Sequence, residues 1–138
     1  MTDMVNHPPH YTAHPSGVEC IEITQFLGFN LGNAWKYLWR FELKGELKQD
    51  LAKALWYLKN ERDYRKVFGY SSAKLDGKAW DSMRESLQAW SAHTTDGNII
   101  EDALMSIALS LPSYEVTELQ AWIALNEAID MLEEYLAY

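Results

Sequence analysis

Apolar residues recur at steps of three and four along most of the chain and strict alternation is scarce, so the pattern predicts helices and few strands. Ser16 and Glu19 form S-x-x-E, a capping box that opens a first helix over about 17–27. Asn33 reads as the N-cap of a short helix ending near residue 41. Trp35, Tyr37, Leu38, Trp39 and Phe41 supply its apolar faces, while Asn33, Lys36 and Arg40 fall at steps of three and four on one face. A polar turn over 42–45 leads into a third helix, lined by Leu47, Leu51, Leu55 and Leu58 and reaching about Arg65, antiparallel to the second. Residues 67–78, rich in Gly and Ser, read as a linker. Three further helices follow: about 79–92, about 99–111 opened by Asn98 with Glu101, and about 118–136 opened by Thr117 with Gln120. In the last, Trp122, Leu125, Ile129, Leu132 and Leu136 form the seam of a bundle or a coiled-coil contact, opposite Glu127, Asp130, Glu133 and Glu134. The expected fold is all-α: a small helical bundle over 1–66, an extended His/Pro-rich N-terminal arm at its start, and a helical extension over 79–138, either separate or packed on the first part as one domain.

Length and charge narrow the function. At 138 residues the chain makes one domain, or one with an extension, burying roughly two-thirds of its unfolded surface. The lone Cys20 has no partner within the chain, and no apolar run approaches the roughly 20 residues of a membrane span. With no signal-peptide pattern at the N-terminus, the expectation is a soluble cytoplasmic protein without membrane contact. The net charge of -8 argues against non-specific DNA binding. That charge is unevenly placed: residues 30–66 hold nine Lys/Arg against five Asp/Glu, and residues 67–138 hold three against twelve. A small anion such as a nucleotide suits the basic segment better than a long polyanion, which the acidic half would repel. Six tryptophans and the 122–136 seam point to a homo-oligomer.

The candidate chemistry lies in the first half. The arm over 6–15, Asn-His-Pro-Pro-His-Tyr-Thr-Ala-His-Pro, is barred from helix by its prolines. In a polyproline II segment His7 and His10 stand about 9 Å apart, too far to share one zinc without a bend, so no zinc is expected; the arm either packs its rings on the helices or turns His10 and Tyr11 toward a phosphate or base. Glu19 and Glu22 make an E-x-x-E pair suited to Mg²⁺, Glu22 being the freer if Glu19 caps the helix. On the third helix Asp50, Lys53, Tyr57 and Asn60 form a second polar stripe. If it faces Lys36 and Arg40, Asp50 either pairs with one of those cations or leaves them to an anion. His93 reads as a loop histidine, and no phosphate-loop, dinucleotide-binding, zinc-protease or nucleophile-elbow motif occurs.

Four blocks in one order are more specific: Asn-His-Pro-Pro-His-Tyr at 6–11, Glu19 and Glu22, Gly-Asn-Ala-Trp-Lys-Tyr-Leu-Trp-Arg at 32–40, and Asp-Leu-Ala-Lys-Ala-Leu-Trp-Tyr-Leu at 50–58. Over about residues 5–66 the chain resembles a tailed-bacteriophage family long known only as a domain of unknown function, which includes a nucleotide kinase without a Walker motif. The resemblance implies phosphoryl transfer from ATP or another nucleoside triphosphate to a deoxynucleoside monophosphate such as dTMP or dGMP, with Mg²⁺, in an infected bacterial host. Read against that chemistry, Lys36, Arg40 and Lys53 are phosphate-clamp candidates, with Asn33 and Tyr57 beside them. Glu22 and Asp50 would hold Mg²⁺ or orient the acceptor oxygen, and His7, His10 and Tyr11 would close the site, His10, Glu22 and Asp50 being the catalytic candidates.

Two other readings compete. An all-α Mg²⁺-dependent nucleotide pyrophosphohydrolase would use E-x-x-E and E-x-x-D carboxylates; Glu19 and Glu22 fit the first half, whereas Glu46 and Asp50 are four apart. A non-enzymatic phage protein would instead bind and inhibit a host or defence factor through residues 79–138, as an anti-CRISPR-type inhibitor does, presenting its acidic helices as a nucleic-acid-like surface.

Overall fold

The computed structural model describes residues 14–44, 48–70 and 75–137. Six helices lie among them: α1 (Ile21–Thr24), α2 (Gly28–Lys44), α3 (Lys48–Phe68), α4 (Gly77–Ser91), α5 (Ile99–Ala108) and α6 (Glu118–Leu136). The described residues contain no strand, only an isolated parallel bridge between Leu75 and Ser113. The fold is an all-α small bundle. Residues 6–13 of the His/Pro arm lie outside the described residues.

Caps and glycines account for where the helices begin. The first helix is far shorter than the 17–27 span that its pattern predicts: it starts at Ile21, after Cys20, which makes no side-chain cap, and gives way to a turn after Thr24. Ser16 Oγ accepts from the Val18 amide at 3.1 Å, and the carboxylate that reaches back is Glu22, whose Oε2 accepts from the Glu19 amide at 2.6 Å. The chain then turns through 25–27, and Gly28, at φ +77°, takes a left-handed conformation that no side chain adopts cheaply, so α2 starts in a new direction. Asn33 is therefore not an N-cap: it sits inside α2, and its Nδ2 donates to the Phe29 carbonyl at 2.8 Å. Helix α2 continues to Lys44, through most of the turn expected over 42–45.

The segment read as a linker over 67–78 is taken up from both ends. Helix α3 runs to Phe68, and Asp76 caps α4 by accepting from the Ala79 amide at 2.8 Å. Asn98 caps α5 as its position suggests, accepting from the Ile100 amide at 3.0 Å and the Glu101 amide at 3.2 Å. Glu101 does not complete a box with it; its carboxylate accepts from the Thr95 amide at 3.2 Å and ties down the preceding loop. Helix α5 ends at Ala108, short of residue 111. At α6 the reciprocal box forms in full: Gln120 N donates to Thr117 Oγ1 at 3.1 Å and Thr117 N donates to Gln120 Oε1 at 2.9 Å.

The two ends of the chain share one core. Trp35 stacks on Trp39 with ring centroids 6.0 Å apart and meets Trp90 of α4 edge-on at 5.6 Å, so α2 is held against the second half. Leu125, Ile129 and Leu132 of α6 are buried, with Trp122 and Leu136 packed beside them, against α5 and α3. The 122–136 seam is thus filled within the chain, and the argument for an oligomer from that seam falls away. Trp35, Trp39, Trp80 and Trp90 are buried too; Trp56 is the tryptophan left in solvent.

Trp35 is fully buried at the junction of the two halves, so Trp35→Ala is expected to cost about 3–5 kcal/mol, read as a fall in the urea unfolding midpoint; a loss under about 1 kcal/mol would show that this junction does not hold the fold together.

Candidate functional site

The antiparallel hairpin of α2 and α3 brings the two polar stripes side by side. Asn60 Nδ2 donates to Asn30 Oδ1 at 3.1 Å and Asn30 Nδ2 donates to Glu61 Oε1 at 3.2 Å, fixing the register at one end. In the middle, Tyr37 stacks on Tyr57 with centroids 6.0 Å apart and planes 13° from parallel. Two cations, one from each helix, use the Tyr37 ring: Lys36 Nζ is 4.8 Å and Lys53 Nζ 5.2 Å from its centroid. No described carboxylate lies within ion-pair distance of either lysine. Lys36, Lys53 and Tyr57 are therefore gathered about the Tyr37 ring.

Arg40 and Asp50 come level in the same register but do not pair. Asp50 is 3% exposed in the first turn of α3, where a negative charge meets the positive end of the helix dipole. Arg40 is half-buried, and its Nε is buried without a hydrogen-bond partner. Among the described residues no ion pair joins Asp50 to Lys36, Arg40 or Lys53. Among the described residues the cations are thus not locked by Asp50.

Glu22 is held elsewhere. Its Oε2 caps the Glu19 amide, and its Oε1 accepts from Ser86 Oγ of α4 at 3.2 Å, which ties α1 to the second half. Both oxygens thus have protein donors, and the carboxylate serves to join α1 to α4. Mg²⁺ commonly takes one or two carboxylates and completes its shell with substrate phosphates and water; the described carboxylate near the hairpin lysines is Asp50, which is 3% exposed. Among the described residues no group of three or more His, Cys, Asp or Glu side chains is placed to share a metal ion.

His7, His10 and Tyr11 lie outside the described residues, as does Glu46. The last histidine of the arm, His14, packs its ring on Trp39 at 5.2 Å and near Trp90 at 6.4 Å. Its Nδ1 accepts from the Ser16 amide at 3.1 Å and meets Ser16 Oγ at 2.7 Å. An acceptor Nδ1 requires the neutral ring, and burial, with His93 nearby, lowers the His14 pKa below its usual 6.5. Burial also pushes the Cys20 thiol up to about 12, against the opposing charge of Lys36; Cys20 is an inert core thiol rather than a nucleophile.

The apolar spacing puts Tyr37 on a packed apolar face and marks neither Phe29 nor Trp56 as a candidate. In the structure Trp56 stands edge-on to Tyr57 at 5.1 Å and Phe29 does so at 5.8 Å, while the two residues are 61% and 75% exposed. A usable signal was present: Trp56 follows Lys53 by three and Phe29 precedes Asn33 by four, so each continues a polar stripe.

The lowered His14 pKa makes stability depend on pH. The unfolded state binds the proton more readily, so stability is full above about pH 6.5 and falls as the pH drops toward the folded value. Urea unfolding at pH 7.5 and pH 6 should show this loss, and the loss should shrink in His14→Phe; an equal loss in both proteins would assign it to other groups.

No curated protein and no solved structure matches the chain. Residues 5–59, which span α1, α2 and the first half of α3, are similar to a family model described as a protein of unknown function, DUF3310.

Proposed function

We propose that the chain is a bacteriophage nucleotide kinase-like protein of the infected cell's cytoplasm, which transfers a phosphoryl group from a nucleoside triphosphate to a deoxynucleoside monophosphate, dTMP or dGMP. The observation that supports this reading is the approach of Lys36 and Lys53, from two helices, to the Tyr37 ring with no described carboxylate to neutralise them. Phosphoryl transfer depends on such placed charge, because the moving group spreads negative charge over its oxygens and needs little covalent help. In this reading Lys36 and Lys53 grip the phosphates and Arg40, one turn beyond Lys36 along α2, adds a two-pronged contact. Asp50 orients the acceptor oxygen or, with the substrate phosphates, holds a Mg²⁺ ion, which would supply further charge neutralisation. His7, His10 and Tyr11 would close the site from the arm. Purified protein given ATP, Mg²⁺ and each deoxynucleoside monophosphate should form the diphosphate, and Lys53→Ala should weaken nucleotide binding by about 1–3 kcal/mol. No turnover with any acceptor would remove the kinase reading, and release of pyrophosphate from the triphosphate alone would replace it with pyrophosphohydrolysis.

A second reading has its own observation. Glu127, Asp130 and Glu134 stand exposed along α6, and of this face Glu133 alone meets a described cation, Lys59 at 3.6 Å. Such a face suits a non-enzymatic protein that binds a basic surface of a host or defence factor. Because α6 is built into the core, truncation would unfold the chain, and charge reversal is the cleaner probe. Under this reading Glu127→Lys, Asp130→Lys and Glu134→Lys together abolish capture of a partner from host lysate while leaving the fold intact; retained capture would discard it.

A further inference from the structure

The aromatic rim beside the cations is built of exposed rings. Large apolar side chains are usually withdrawn from water, yet Trp56 and Phe29 are mostly exposed, and both stand edge-on to the same ring, Tyr57. Tyr57 in turn stacks on Tyr37, whose ring carries Lys36 and Lys53. Going along the hairpin, exposed rings come first, then the two lysines, then the level of Arg40 and Asp50. That order gives the surface a polarity: an apolar, π-faced end and a cationic end.

We propose that the Trp56 and Phe29 rim is a nucleobase subsite, with the base stacked on Trp56 and the phosphates directed along the hairpin toward Lys36, Lys53 and Arg40. This rests on the nucleotide reading above and adds which end of the ligand goes where. A planar base needs an accessible aromatic face, and stacking is tolerant of base identity because every base has a π-face. At the rim, Asn60 is exposed with one amide hydrogen bonded to Asn30, which leaves its carbonyl oxygen and second amide hydrogen for a base edge. Neither group demands one particular base, so the subsite binds nucleoside phosphates as a class and owes its affinity to ring overlap.

The test separates the base from the phosphates. Binding to the full chain is measured by calorimetry for inorganic tripolyphosphate, which has no base, and for ATP, dGMP and dTMP. Trp56→Ala should weaken each nucleotide by about 5- to 100-fold and leave tripolyphosphate unchanged, and Trp56→Phe should restore most of the loss. Lys36→Ala with Lys53→Ala should weaken tripolyphosphate and nucleotides alike. Unchanged nucleotide affinity in Trp56→Ala, with tripolyphosphate still bound, would overturn the base subsite and leave the anion site standing. Equal weakening of tripolyphosphate and nucleotides in Trp56→Ala would overturn it too, since Trp56 would then support the lysines. Should Trp56→Ala abolish self-association with all affinities unchanged, the rim is a contact between copies and the proposal fails. Binding of none of the four ligands would overturn the subsite together with the nucleotide reading.

Discussion

The rotation of α2 about its own axis is the constraint on which the rest depends. Ala34, Trp35, Leu38 and Trp39 are buried, and the Trp35 ring meets Trp90 from the far half of the chain at 5.6 Å. Two indoles on one stripe leave the helix little freedom to turn, because no other face could bury comparable area. With that stripe inward, Lys36 and Tyr37 are carried to the side that borders α3. The cationic surface is thus a consequence of core packing and needs no dedicated framework. Its lysines come from helices whose positions are already set by buried side chains.

The second half of the chain takes part in this positioning. Helix α4 supplies Trp90 to the core and Ser86 to Glu22, and α6 covers α3 with Leu125, Ile129 and Leu132. Charge is divided along the same lines. Lys36 and Lys53 of the hairpin border a ring, and Glu127, Asp130 and Glu134 stand exposed on α6. Glu133 meets Lys59 of the hairpin at 3.6 Å, and among the described residues no acidic side chain of α6 forms an ion pair with Lys36 or Lys53.

Much of the fold is legible in the chain, because helix periodicity and capping are local. Thr117 with Gln120 and Asn98 with its two amides act as their positions suggest, and the expected all-α bundle is observed. Errors arise where two local signals compete. Ser16 and Glu19 satisfy the spacing of a capping box, but Glu22 lies one turn on and takes the role. Asn33 has the chemistry of an N-cap, yet Gly28 permits the chain to turn five residues earlier, and an asparagine inside a helix can still bond back to its own backbone.

For the surface, the sequence by itself determined the two stripes: Asn33, Lys36 and Arg40 on one helix, Asp50, Lys53, Tyr57 and Asn60 on the next, since spacing alone puts such residues on one face. It also determined that a basic segment sits inside an acidic chain. Only the tertiary structure decided which of these residues meet. The register of the hairpin put Lys36 and Lys53 on one tyrosine ring, kept Asp50 from pairing with either, and left Phe29 and Trp56 exposed beside them. Glu22 was decided in the same way, by a serine 64 residues away. Contacts between elements depend on how helices are rotated and offset, and that is set by the whole core at once, which no local pattern contains.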